Sequence, residues 1–282
     1  KVRADGVAIH FSMASIRGAW IQDGKILPTI ANVNRTSKNY VDLVKRRDEW
    51  VKALERQGIQ FRFLATPQIE SGELEKYKVL ILPYSIALSD AEARAIERFI
   101  ARGGTVYADA QTGRMDERCH WRSTPLFAGE HKGILRQAPG PINVKPAFPL
   151  PGRYLTTVRE FGESRLIGAL PAEAASVDLP ASRAIRYDLL RGGLAGHKID
   201  VSPANPLLLI ERSSRISKLE ITPELAVVLG DENGEPVDLS VVHAEVFDPA
   251  GKLIRPYCGN YTIREGTARI EIPFALNDSS GT

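Results

Sequence analysis

The sequence predicts an α/β fold built on a parallel sheet, followed by a region of short β-strands. Three observations lead to this prediction. Residues 77–113 read as a strand, a helix and a second strand in succession. Further apolar strands and an amphipathic helix precede that stretch, and after Pro171 only short strands separated by turns remain. The change in pattern between the two halves predicts more than one domain.

The stretch 77–113 is the most informative part of the chain. Residues 79–82 form an unbroken apolar run, which is typical of a strand buried on both faces. Ser89 and Glu92 have the spacing of a capping box, and apolar residues three and four apart follow them, as in an amphipathic helix. Gly103-Gly104 ends this helix before a second apolar run at 105–108. Strand, helix and strand make a βαβ unit, which predicts parallel pairing with a right-handed crossover.

Earlier residues extend the same pattern. Strands are predicted at 6–12 and 59–64, the second with Ile59, Phe61 and Phe63 alternating along it. Helices are predicted at 15–22, 39–57 and 70–76, the long one beginning at Asn39 with Asp42 three residues later. The alternation of strands and helices predicts a doubly wound, flavodoxin-like sandwich.

The second half of the chain is predicted to be β-rich. Prolines and glycines between 125 and 152 predict an excursion of loops, and 154–167 predicts a hairpin that turns at Gly162. Further strands are predicted at 184–190, 207–211, 219–222, 241–247 and 268–274. We therefore expect an α/β domain at 1–170, a small β-rich module at 171–215 and an immunoglobulin-like β-sandwich module at 216–282, with too few strands to close that sandwich comfortably.

The composition of the chain bears on its structural class, its partners and its location in the cell. The chain is 43% hydrophobic and 25% charged, as ordinary globular proteins are. Its net charge of +3 comes from interspersed residues, so no nucleic-acid partner is expected. Apolar runs fall short of the roughly 20 residues that a membrane helix requires, and no secretion leader is visible. We expect no membrane association, favour a cytoplasmic location, and expect Cys119 and Cys258 to stay reduced.

In an open parallel sheet, ligands bind at the carboxyl ends of the strands. The residues expected there form the candidate ligand-binding set: Ser12, Arg17, Tyr84, Ser85 and Asp109. Ser85 lies in a strand-to-helix turn, which is where some enzymes place a nucleophile. It has no flanking glycines, and the histidines considered for it, His120 and His131, lie in loops. We therefore expect no catalytic residue in this chain.

The loop from Arg114 to Trp121 is the densest group of polar residues. Cys119 and the adjacent His120 supply too few ligands for a zinc site. Asp116 and Glu117 are neighbours on a loop, unlike the opposed carboxylates of glycosidic chemistry. No phosphate-binding loop is found either, since Gly103-Gly104 closes a helix instead of opening one. We expect no metal and no cofactor, and we interpret the loop as a subunit or domain contact carried by Asp116, Glu117, His120 and Trp121.

Several stretches resemble the trimerisation domain of family-42 β-galactosidases. They are Val-Leu-Ile-Leu-Pro-Tyr at 79–84, Leu-Ser-Asp-Ala-Glu-Ala at 88–93, Phe-Ile-Ala-Arg-Gly-Gly-Thr-Val at 99–106 and Asp-Ala-Gln-Thr-Gly at 109–113. Residues 114–121 are similar to the segment that follows in bacterial relatives, and 187–193 and 246–252 are similar to their β-rich C-terminal modules.

The resemblance implies a class I glutamine amidotransferase-like sandwich that has lost its nucleophile. It also implies a homo-oligomer, a trimer among the options, and an upstream barrel that carries the catalytic glutamates. Such a barrel needs about 200 residues or more, so no residue here aligns with either glutamate. The resemblance thus implies a non-catalytic C-terminal region that serves oligomerisation and domain packing. The alternatives are a small-molecule hydrolase or a carbohydrate-binding module that uses the pocket at the sheet edge.

Overall fold

The chain is a mixed α/β protein in a computed structural model that describes residues 4–23, 38–150, 154–238 and 240–271. Five parallel strands with helices form the first part, and antiparallel sheets form the second. This confirms the predicted class.

The described residues of the first part form five strands and four α-helices. The strands are β1 (Val7–Phe11), β2 (Phe61–Ala65), β3 (Val79–Leu82), β4 (Thr105–Ala108) and β5 (Ile134–Arg136). The helices are α1 (Met13–Gln22), α2 (Lys38–Glu55), α3 (Thr66–Glu70) and α4 (Asp90–Ala101), and a 3₁₀ turn spans Glu73–Lys76. The sheet order is β2-β1-β3-β4-β5 and every pairing is parallel, so all five strands end at the same edge.

Apolar side chains cover both faces of this sheet. One face packs on α4, with Leu80, Ile96 and Phe99 buried in one cluster. The other face packs on α2, with Ile9 and Trp50 buried in a second cluster. Two-sided burial explains why β3 is apolar throughout. The predicted βαβ unit is confirmed, and Ser89 and Glu92 form a complete capping box at the start of α4.

The structure refines the predictions for β2, α2 and β5. Phe63 lies on the same face as Phe61 but is 43% exposed, because β2 is an edge strand. The long helix predicted from Asn39 is α2, described from Lys38, and the Asn39 amide in its first turn donates to the carboxylate of Asp23. The region predicted as loops contains β5, which pairs with β4. The helix predicted at 70–76 is instead α3 followed by the 3₁₀ turn.

The second part contains eleven described strands. They are β6 (Tyr154–Phe161), β7 (Ser164–Pro171), β8 (Ala175–Asp178), β9 (Ile185–Asp188), β10 (Lys198–Val201), β11 (Leu207–Arg212), β12 (Ile216–Ile221), β13 (Ala226–Asp231), β14 (Val241–Ala244), β15 (Gly259–Thr262) and β16 (Thr267–Arg269). β8, β10, β13 and β15 were not predicted. The last predicted strand is described only to Glu271, so its remaining residues lie outside the described part of the chain.

Strand pairing assigns the predicted hairpin to the second part. β6, β7, β11 and β9 form one antiparallel sheet, and the pair β10-β8 contributes Ile199 and Val177 to the same core. The buried carboxylate of Glu211 accepts hydrogen bonds from Arg165 and Arg186 within this sheet. The division into domains stays a prediction, although the pairing of β7 with β11 groups residues 154–171 with the antiparallel sheet.

The close approach of Gly104 to α4 yields a stability test. A Cβ at Gly104 would lie 2.4 Å from the buried ring of Phe99. We expect Gly104→Ala to lower the free energy of unfolding by about 1–3 kcal/mol, because the packed ring has to move. Urea denaturation measures the loss, with Gly140→Ala as the control, since the nearest atom to a Cβ there is 3.7 Å away. Equal stabilities of the two variants would contradict this account.

Candidate functional site

The turn after β3 lies at the carboxyl edge of the parallel sheet, where hydrogen bonds from Tyr84 fix its position. Tyr84 adopts a positive φ of 52°, a conformation that is uncommon for a residue with a side chain. Its backbone N–H donates to the carboxylate of Asp109 over 2.7 Å, and its hydroxyl donates to the Asn39 side chain over 2.9 Å. Two candidate ligand-binding residues, Tyr84 and Asp109, thus fasten β3 to β4 and α2.

Ser85, His10 and Glu92 form a buried cluster directly beside this turn. Nδ1 of His10 lies 2.8 Å from the hydroxyl of Ser85, and Nε2 lies 3.0 Å from the Glu92 carboxylate. The second oxygen of Glu92 accepts the backbone N–H of Ser89 over 2.8 Å. The three side chains have the connectivity of a hydrolytic triad, in which a histidine links a serine to a carboxylate.

The contacts of Glu92 determine its charge. Burial, the largest single influence, raises the pKa of the Glu92 carboxyl. The hydrogen bond and charge interaction with His10, together with hydrogen bonds from Ser89 and Thr66, outweigh burial and hold the pKa below its ordinary value. Glu92 is therefore ionised at neutral pH. With a proton on Nε2, His10 donates to the Glu92 carboxylate, and its Nδ1 lies within hydrogen-bond distance of the Ser85 hydroxyl.

Within the described residues, the Ser85 hydroxyl has little room for a substrate. Ser85 is 2% exposed, and the crevice beside it holds about 10 Å³, which is at most the space of one water. The amide after a nucleophile usually contributes to stabilising the oxyanion. Here the N–H of Ile86 donates to the carbonyl of Tyr84 over 2.8 Å. In the part of the chain that is described, the cluster therefore links β1, α4 and the turn after β3.

Ser12 and Arg17, the remaining candidate ligand-binding residues, differ in burial. Ser12 is buried and caps α1 by accepting the N–H of Ser15 over 2.9 Å, whereas Arg17 is exposed on α1. Neither histidine considered for Ser85 is its neighbour, since His120 contacts Asp116 and His131 packs on Phe127. The structure thus pairs Ser85 with neither loop histidine, and the ligand-binding role of the five candidates stays a prediction.

Sequence reasoning missed His10 and the second role of Glu92. The one available signal was a histidine inside the otherwise apolar run of β1. A buried histidine needs partners on both ring nitrogens, and this requirement indicates a polar cluster at that edge.

The loop from Arg114 to Trp121 folds tightly against α1. Met115 is buried, and its sulfur would lie 3.0 Å from a Cβ at Gly18. The carboxylate of Asp116 accepts the amides of Arg118 and His120, and the hydrogen bond from the His120 amide is the main cause of the lowered pKa of Asp116. These contacts fasten the loop to itself and to α1.

The same loop presents one aromatic side chain to solvent. Trp121 is 55% exposed, and the guanidinium of Arg114 lies 5.1 Å from its ring centroid. Glu117 and His120 are also exposed. Burial raises the pKa of the Cys119 thiol, whose sulfur contacts the carbonyl of Ala14 over 3.4 Å. The loop thus exposes an indole on a segment that is fastened by hydrogen bonds.

The described part of the chain shows neither a metal-binding cluster nor a membrane-spanning helix. No group of three or more His, Cys, Asp or Glu residues there has the arrangement needed to hold a metal ion. None of the described helices combines the length and apolar character needed to cross a bilayer.

Comparison with known proteins identifies the family. The profile of the β-galactosidase trimerisation domain matches residues 9–176, more than half of the 282-residue chain. The chain therefore belongs to the β-galactosidase trimerisation domain family. No curated protein sequence matches the chain.

Solved structures share the fold at low sequence identity. A β-galactosidase from Bacillus circulans sp. alkalophilus aligns with a TM-score of 0.55 and 16% identity, over 75% of this chain and 42% of that chain. Gan42B, a GH42 β-galactosidase from G. stearothermophilus, aligns with a TM-score of 0.50 and 14% identity, over 74% and 40%. The aligned part of this chain thus spans about two fifths of the length of these structures.

The buried Glu92 carboxylate gives a pH-dependent test. Because its folded pKa lies below the ordinary value of 4.5, the stability it contributes is complete above pH 4.5 and is lost as pH falls through the folded pKa. We expect Glu92→Gln to cost about 1.5–3 kcal/mol at neutral pH and progressively less below pH 4.5. Urea denaturation across pH checks this. Glu97→Gln, on an exposed position of the same helix, is the control and should have little effect. A pH-independent loss would refute the assignment.

The enclosure of Ser85 gives a reactivity test. A fluorophosphonate, which modifies activated serines, should leave the mass of the native chain unchanged because Ser85 is inaccessible. Intact-protein mass spectrometry makes the measurement, with Ser85→Ala as the control. An adduct on the parent chain that disappears in Ser85→Ala would mean that the cluster is reactive after all.

Proposed function

We propose that this chain is a non-catalytic oligomerisation and domain-packing region of a β-galactosidase-like glycoside hydrolase, joined to a catalytic domain and assembled as a homo-oligomer. The observation that carries the proposal is the match of residues 9–176 to a trimerisation domain. The enclosed Ser85 cluster supports it, since this arrangement has catalytic connectivity but little room for a substrate among the described residues. The alternative of a hydrolase at this edge is disfavoured for the same reason.

The finer architecture is part of this proposal. We infer a flavodoxin-like first domain of the class I glutamine amidotransferase type, and the strand order 2-1-3-4-5 supports it. The positive φ of Tyr84 at the turn after β3 also supports it, because the nucleophile of related enzymes sits in such a strained turn. We infer an immunoglobulin-like module around the core of Val227, Val237 and Ile263.

We further propose that the loop from Arg114 to Trp121 forms the subunit contact. Trp121 is the anchor in this proposal, since it is exposed and tryptophan is enriched among the residues that carry most of the binding energy of interfaces. Asp116, Glu117 and His120 surround it as the polar rim.

The oligomeric state tests the proposed function directly. We expect the 282-residue chain to sediment as a trimer at micromolar concentration, because its family is defined by trimerisation. Analytical ultracentrifugation over a hundredfold range of concentration makes the measurement. A monomer throughout that range would count against the proposal.

A further inference from the structure

The antiparallel sheet formed by β6, β7, β11 and β9 carries apolar residues on both faces. Along β11, Leu207 and Leu209 are buried in the core, while Leu208 and Ile210 point to the opposite face. The cross-strand register places Leu166 beside Ile210 on that outer face. An antiparallel sheet that is solvated on one side normally has polar residues there. The outer face of this sheet therefore has the character of a contact surface.

One end of this outer face forms a notch. It lies where β6 and β7 meet the end of α2 and has a volume of about 240 Å³. Its apolar walls include Leu155, which is 53% exposed, and Leu170, which is 43% exposed, and the two are paired across the strands. Tyr154 and Pro171 complete the apolar lining. Glu55, the last residue of α2, and Arg56, which follows it, form the charged side. The notch offers an apolar pocket with one charge of each sign beside it.

The loop that carries Trp121 offers a second exposed patch. Its indole is 55% exposed and stacks on one side against Arg114, and Glu117 and Arg118 are exposed beside it. The loop has one acidic and one basic residue, Glu117 and Arg118, and the notch has the pair Glu55 and Arg56, so the two patches carry charges of both signs that suit pairing of opposites. A large aromatic side chain gains most from a pocket of apolar walls.

We propose that Trp121 of one subunit occupies the Leu155–Leu170 notch of the next subunit. A cyclic trimer needs a heterologous contact, in which two different patches meet and the rotation closes the ring. This chain supplies two such patches, the loop with its exposed indole and the concave notch. The inference rests on the proposed oligomerisation and names the two surfaces that carry it.

Two single variants test the contact, one on each patch. Trp121→Ala removes the anchor, and Leu170→Glu places a charge in the notch at an exposed strand position that folding should tolerate. We expect each variant to raise the trimer dissociation constant by roughly 30-fold or more, which is the scale of an interface hot spot. Leu219→Glu, at an exposed leucine of β12 outside the notch, is the matched control and should remain trimeric. Circular dichroism melting confirms that each variant is folded.

Mixing the two variants makes the test specific. Trp121→Ala keeps an intact notch and Leu170→Glu keeps an intact loop, so one productive contact remains between them. We expect the mixture to form a 1:1 dimer that neither variant forms alone, measured by sedimentation.

The outcomes separate this inference from the proposed function. If the parent chain is trimeric and Leu170→Glu remains trimeric, the notch is not the acceptor and the inference fails while the proposed function stands. The same conclusion follows if Trp121→Ala remains trimeric, or if the mixture forms no dimer. If the parent chain is monomeric, the proposed function itself fails.

Discussion

The buried carboxylate of Glu92 is the interaction on which the edge of the parallel sheet depends. One oxygen starts α4 by accepting the Ser89 amide, and the other holds His10 of β1, which in turn holds Ser85. The start of α4, strand β1 and the turn after β3 are thereby all connected to the Glu92 carboxylate. An unpaired charge in this position would be costly, so each partner is needed to keep the others in place. Residues coupled in this way are expected to contribute to stability as a unit and not additively.

The same cluster explains how a scaffold can contain the parts of a catalytic site without its chemistry. Catalysis needs an accessible nucleophile and donors aimed at the developing oxyanion. Here the strained position of the turn belongs to Tyr84, whose hydroxyl binds Asn39, and the serine that follows is buried against His10. The amide of Ile86 is engaged within the turn. The hydrogen-bonding capacity of this edge is therefore directed inward, where it fastens strands and helices together.

The features that the sequence predicts correctly are those that interactions between nearby residues determine. The Ser89–Glu92 capping box and the apolar run of β3 were predicted from the sequence because their causes lie within a few residues. The pairing of His10 with Glu92 joins residues 82 apart in sequence and depends on the sheet order, which no local pattern contains. β5 has only three residues, and its pairing with β4 defines it. The exposure of Phe63 follows from the edge position of β2, which alternation cannot indicate.

Apolar area left uncovered by the chain itself is the physical basis for assembly. The carboxyl edge of the parallel sheet is closed by its own hydrogen bonds, so a partner gains little by docking on Ser85 or Asp109. The outer face of the antiparallel sheet is different, since covering Leu155 and Leu170 removes apolar surface from water at about 25 cal/mol per Å². An indole whose loop is already fastened by hydrogen bonds loses less conformational freedom when it binds there. Apolar surface that stays exposed within one chain can be buried between chains, and this difference favours a contact between the loop and the notch over one at the carboxyl edge of the parallel sheet.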